Sequence, residues 1–233
     1  LSAVMVKMGL FATFKWLIPI LPQGVEYWRT LVMILSVVGI LYASLLAMVQ
    51  TDMKRLVAYS SIAHIGLMAL GMFAATPTAT NGLILQMFNH GINVTGMWLI
   101  VSMVESRYKT RNLKELGGMA SAAPAIAIAF VIIGFANIAL PLTSGFVGEF
   151  MLFHGIFLSN HPYHITFMVL AGIAIILGAI YVLNMVQKVS YGEAKTSLVI
   201  PKASASELTS LIIVVAIIII LGVYPNLLLS WIG

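Results

Sequence analysis

Six titratable side chains stand inside otherwise apolar runs of this chain: Lys7, Lys15, His64, His90, Glu149 and His154. A charge held in hydrocarbon is costly, so such residues face a bundle interior or water and are functional candidates by default. Histidine accepts and gives a proton near neutrality. Lys7, His64, His90 and Glu149, at comparable depth in separate apolar segments, therefore have the chemistry of a lateral proton relay. Bland readings stay open beside it. Lys7 can snorkel to an interface, a lone buried histidine can be a packing residue, and Glu149 can be the structural partner of a lysine elsewhere. Lys15, next to Trp16 and Pro19, reads as a snorkelling side chain. His154 is ambiguous, and His161 and His164 read as surface residues of a loop.

The elements that hold these residues follow from composition. Of 233 residues, 61% are hydrophobic and 8% charged, whereas a soluble domain carries roughly a quarter charged residues. This pattern excludes a soluble enzyme, a disordered chain, a disulfide-rich secreted domain and a nucleic-acid binder. The absence of cysteine excludes disulfides, thiolate metal sites and iron–sulfur ligation in this chain. There is no glycine-rich phosphate loop and no histidine pair at metal-ligand spacing, so no cofactor or metal is expected here. Leu1 already lies in an apolar run with no signal-peptide pattern, and the chain reads as a piece of a longer protein.

A spanning helix needs about 20 apolar residues. The apolar runs predict an all-α, polytopic membrane bundle of seven transmembrane helices. They cover about 1–20, 30–50, 55–75, 82–104, 122–157, 164–187 and 207–231, in one transmembrane domain over 1–233. The fifth run is too long for one plain span. Its Leu140-Pro141-Leu142-Thr143-Ser144-Gly145 breaks the hydrogen-bond ladder, predicting half-helices near 122–139 and 145–157. A simple kink or a re-entrant hairpin is the alternative. Irregular backbone at membrane depth needs protein or a water-filled cavity around it, so the break points to an ion path. Glu149 follows it closely, in the first turn or so of the second half-helix, where the helix dipole favours a carboxylate.

Loop charges give the orientation. Alternate loops carry Lys54 and Arg55; Arg107, Lys109, Arg111 and Lys114; and Lys188, Lys195 and Lys202. The opposite set carries Arg29 alone. By the positive-inside rule, the stretches 52–55, 105–115 and 188–207 are cytoplasmic. Tyr27, Trp28, Tyr108, Tyr163, Tyr191 and Trp231 fall where interfacial aromatic belts belong.

One long stretch is specific to a known family: Gln50-Thr51-Asp52-Met53-Lys54-Arg55-Leu56-Val57-Ala58-Tyr59-Ser60-Ser61-Ile62-Ala63-His64-Ile65-Gly66. His90-Gly91, Gly117-Gly118 and Leu140-Pro141 through Gly145-Phe146-Val147-Gly148-Glu149-Phe150 add to it. The sequence resembles the antiporter-like, proton-translocating membrane subunits of bacterial NADH–quinone oxidoreductase, respiratory complex I. The glutamate on the broken helix points to the M-type branch, since sister branches generally carry lysine there. The resemblance implies about fourteen helices in the full subunit, built of inverted repeats, with this chain as the C-terminal half. It implies that Lys7 is the central-axis lysine, His64 and His90 the bridging relay residues, and Glu149 the terminal site. It implies a bacterial inner-membrane location and, as partners, the lipid bilayer and other complex I membrane subunits, especially the neighbouring antiporter-like ones. NADH, FMN, iron–sulfur clusters and quinone belong to the complex's other parts, where the redox chemistry lies. The alternatives are a subunit of a multi-component sodium/proton antiporter, the membrane arm of an energy-converting hydrogenase, or a scaffold whose polar residues only pack.

Overall fold

The computed structural model describes residues 3–191 and 200–231. These form helices α1 Met5–Ala12, α2 Ile18–Ile20, α3 Pro22–Met48, α4 Met53–Ala74, α5 Pro77–Tyr108, α6 Met119–Ala122, α7 Pro124–Asn137, α8 Ser144–Phe157, α9 His164–Val186, α10 Ala205–Val223 and α11 Asn226–Leu229. Among the described residues the only extended pairing is a single antiparallel bridge between Asp52 and Asn112. Among the described residues four helices are long and apolar enough to cross a membrane: α3, α4, α9 with the π-helical turn that continues it, and α10. α7 and α8 are shorter apolar helices.

The sequence sets most of the helix ends. Asp52 caps α4, its Oδ1 accepting from the backbone N–H of Lys54 at 2.7 Å and of Arg55 at 3.1 Å. That satisfies two of the donors a helix start leaves open. α4 closes on Ala75 in the left-handed region (φ 55°). α5 then opens with Thr76 as cap and Pro77 in its first turn, where the missing proline N–H costs nothing. Ser204 and Glu207 form a capping box at α10.

Several boundaries differ from the sequence expectation. α3 starts at Pro22 rather than near 30, so Arg29 lies within its second turn instead of in a loop. The side chain turns back onto the last carbonyls of α4, donating to Phe73 O at 2.8 Å and Ala74 O at 2.9 Å, and to Ser159 Oγ at 3.1 Å. The first helix is interrupted by the π-helical turn Thr13–Leu17. The last ends at Val223, before Pro225, and resumes as the four residues of α11. Tyr108 is buried rather than belted, its hydroxyl donating to Gly117 O at 2.9 Å. His161 is buried too, against Thr30. Lys195 lies outside the described residues.

The basic loops gather at one end of the bundle. Met53 N–H donates to Arg111 O and Leu113 N–H to Thr51 O, at 3.0 and 2.8 Å. Arg107 holds the Glu207 carboxylate at 2.7 and 2.8 Å and Pro201 O at 3.0 Å. Arg29, Thr30, Ser159 and His161 meet at the other end.

Two apolar cores follow from this. One holds Met53, Leu56, Val57, Met97, Ile100, Ile126, Phe130, Ile133 and Ala136, towards the basic end. The other holds Leu67, Met68, Leu70, Leu83, Leu152 and Ile156. On α4 the switch between them falls across Ser60, Ser61 and His64, and on α5 across Gln86 to Asn93. A polar layer thus separates the two cores.

Candidate functional site

The backbone break sits in that layer. Residues 138–143 leave helical geometry, and Ala139 and Leu142 take positive φ, 54° and 72°. Such backbone costs on the order of 1–3 kcal/mol for each non-glycine residue and persists only where the surroundings enforce it. Here α5 supplies that support. Asn93 Nδ2 donates to Ala136 O at 3.0 Å, and Asn89 Nδ2 to Ser144 O at 2.6 Å. Ser144 Oγ donates to Asn93 Oδ1 at 3.2 Å. Backbone carbonyls on both sides of the break are thereby satisfied by side chains. Gly222 of α10 completes the fit, because a Cβ there would run into Leu142 O.

Glu149 is the sixth residue of α8, in its second turn rather than its first. The dipole contribution falls off within the first turn, so side chains dominate its surroundings. His64 Nδ1 lies 3.0 Å from Glu149 Oε1. Gln86 Nε2 donates to the same oxygen at 3.1 Å. The His64 and His90 rings stand 5.0 Å apart, centroid to centroid, tilted by 51°. His90 and Glu149 are 1% and 5% exposed. Contact with the carboxylate places a hydrogen on His64 Nδ1. Among the described residues, His64 Nε2 and both ring nitrogens of His90 are buried and meet no hydrogen-bond partner.

Lys7 is buried, and its charge acts on His90 across the α1–α5 boundary. It lines an apolar groove of about 970 Å³ together with Met8, Phe11, Trp16, Phe88 and Val214. On the other flank of Glu149, a cavity of about 30 Å³ is bounded by His64, Asn137, Glu149 and Tyr181, room for one water. Tyr181 OH and Asn137 Nδ2 both donate to Ser60 Oγ there, at 3.2 and 3.1 Å.

The structure therefore joins three of the four expected relay residues directly and places Lys7 within electrostatic reach of the third. Lys15 is exposed, on the π-helical turn. His154 is exposed and stacks on Phe150, away from the polar layer. Gln86, Ser60, Asn137 and Tyr181 were not expected at the site. Gln86 stands four residues before His90, on the α5 face turned to α8, and that spacing was available to find it. Among the described residues no group of three or more His, Cys, Asp or Glu side chains could hold a metal ion.

Residues 1–178, from Lys7 through Glu149 and beyond, match the family described as NADH:quinone oxidoreductase/Mrp antiporter, transmembrane. The chain belongs to this family. Within the oxidoreductase/antiporter family it is 41% identical over 236 residues to NADH-quinone oxidoreductase subunit M of Rhodobacter capsulatus, covering all of this chain and 45% of that protein. It is 33% identical to NADH-ubiquinone oxidoreductase chain 4 of Marchantia polymorpha, over 99% of this chain and 46% of the relative. The chain thus spans about half the length of these relatives. A chain of respiratory complex I from Thermus thermophilus superposes with a TM-score of 0.89 at 28% identity, over 95% of this chain and 46% of that one. A chain of the Mrp complex from Dietzia reaches the same TM-score at 18% identity, over 98% of this chain and 50% of its own length. That likeness shows the shared fold.

Proposed function

We propose that this chain is the C-terminal part of the M-type membrane subunit of a proton-translocating NADH–quinone oxidoreductase, in which Lys7, His64, His90 and Glu149 carry protons along the membrane plane. The observation that supports this best is the contact of Glu149, on the second half of a broken helix, with His64 and through it with His90. His64 can take a proton at Nε2 from the His90 side and release the one on Nδ1 to Glu149, so the imidazole works as a two-sided carrier. A charge gained at one member changes the proton affinity of the next. Movement of charge at Lys7 then acts on His90, which links this site to events elsewhere in the membrane arm. Electron transfer from NADH to quinone, with its FMN and iron–sulfur clusters, takes place in other subunits. The partners are the neighbouring antiporter-like subunits and the lipid bilayer.

In this reading the chain crosses the membrane seven times. α1 with α2, α3, α4, α5, the α7–α8 pair, α9 and α10 are the spans. α5 counts although its polar face lowers its hydropathy, because that face is buried against the break. The basic-loop end faces the cytoplasm of a bacterial inner membrane.

Glu149→Gln keeps the shape of the side chain and removes its charge. In the assembled complex it should reduce NADH-driven proton flux at least tenfold while leaving NADH oxidation by an artificial acceptor unchanged. Wild-type flux from an assembled Glu149→Gln complex would overturn the relay and leave the scaffold reading. Flux that depends on sodium would favour the antiporter reading instead.

A further inference from the structure

Resting on that relay, we infer that Gln86 is a positioning residue for Glu149, one that sets how readily the carboxylate takes up its proton. Three observations converge on it. The amide and carboxylate are joined by a 3.1 Å hydrogen bond between side chains 2% and 5% exposed. Both His64 and Gln86 address the same carboxylate oxygen, so the amide keeps the carboxylate turned towards the relay. The two helices are also built to permit this approach. At Gly82 an added Cβ would stand 2.8 Å from Leu152 N, at Gly155 it would run into Ala79, and at Gly148 into Gln86 Oε1. Glycines on both helices thus let α5 and α8 come together as small residues do in membrane interfaces. Gly148 opens the slot that the Gln86 amide fills.

The orientation of that amide is set by its donor. Among the described residues, Gln86 Oε1 is buried against Gly148 and meets no hydrogen-bond partner, and the contact that orients the group is the N–H directed at the carboxylate. A donor favours the ionised form of the acid it touches. Gln86 therefore eases release of the proton that Glu149 receives from His64. The other titratable groups around Glu149 are His64 from α4, in contact with it, Tyr181 from α9, which bounds the same small cavity, and His90 from α5, which meets His64 rather than the carboxylate. α7 carries no charged residue, and α10 carries only Glu207, in its first turn at the basic end.

Two substitutions test this in the assembled complex by the pH profile of NADH-driven proton flux. Gln86→Met keeps length and volume and removes the donor. Gly148→Ala keeps Gln86 and displaces its amide. Both should move the midpoint of the profile to higher pH by about one to two units, the effect of losing a hydrogen bond to a charged group. Artificial-acceptor NADH oxidation should not change. Gln86→Asn, which withdraws the amide by one methylene, replaces either variant that fails to assemble and should give the same shift. An unchanged midpoint in an assembled variant overturns the assignment of Gln86 while leaving the relay intact. Normal flux from Glu149→Gln would instead remove the relay on which the assignment rests.

Discussion

The tautomer of His161 is fixed by its two contacts. Its Nδ1 accepts from the backbone N–H of Tyr163 at 3.3 Å, which leaves the hydrogen on Nε2, and that nitrogen meets Thr30 Oγ1 at 2.9 Å. Burial holds the imidazole's pKa below its ordinary value, and the Arg29 guanidinium adds to the effect against the opposing pull of Glu26. A group with a depressed folded pKa binds fewer protons folded than unfolded between the two values. The stabilisation is therefore complete above about 6.5 and is lost as pH falls from there towards the folded value. A proton forced onto Nδ1 would also face the Tyr163 N–H. The melting temperature of the detergent-solubilised protein should thus fall more steeply from pH 7 to pH 5 than that of His161→Gln, which has no group to titrate there. Parallel curves would show that His161 carries none of the pH dependence. The sequence reading of His161 as a surface loop residue missed this because burial at that end is supplied by Arg29 and Thr30 of α3, far away in the chain.

Between elements, the closest approach that carries the site is α5 on α8. Its glycines decide whether Gln86 and Asn89 reach Glu149 and the break. Gly155→Val would drive a branched side chain into Ala79 at the first turn of α5. Overpacking of this kind costs about 1–3 kcal/mol, and its relief pries the helices apart. The expected result is clearly less assembled complex on native gels, with Gly172→Val as the control, since nothing lies within 4 Å of a Cβ at Gly172. Equal assembly of the two variants would show that this contact tolerates separation. The break itself was legible in the sequence, because Pro141 removes a donor and Gly145 stands where Ala136 O leaves no room for a Cβ. Its boundaries came within a few residues for the same reason. The start of α3 was not legible, because Glu26 and Arg29 look like loop charges until the Arg29 side chain is seen capping the carbonyls of α4. The meeting of His64, His90 and Glu149 depends on how three helices face one another, and periodicity along each helix leaves that rotation open.

For the whole molecule the decisive asymmetry is between its ends. Lys54, Arg55, Arg107, Lys109, Arg111 and Lys114 surround one end, tied together by the Asp52–Asn112 bridge and by the ion pairs of Arg111 with Asp52 at 3.4 Å and Glu105 at 3.6 Å. Glu115 is held ionised there, its pKa lowered by hydrogen bonds from Thr110 and Asn112. The other end offers Arg29, and that guanidinium is engaged by backbone carbonyls. A bilayer whose insertion machinery retains positive loops in the cytoplasm would orient such a chain with the first end inward. The 233 residues contain no cysteine, so an introduced thiol is the one these residues carry, and its labelling is read on this chain against the unsubstituted protein. Lys109→Cys lies at the basic end, just past α5, and Asn160→Cys is exposed between α8 and α9 at the opposite end. In right-side-out vesicles a membrane-impermeant maleimide should label Asn160→Cys and spare Lys109→Cys, and in inverted vesicles the pattern should reverse. Labelling of both thiols from one side would mean that the α7–α8 pair returns to the side it entered from. Glu149 would then open towards the cytoplasm, and a relay that delivers protons across the membrane through this carboxylate would be ruled out.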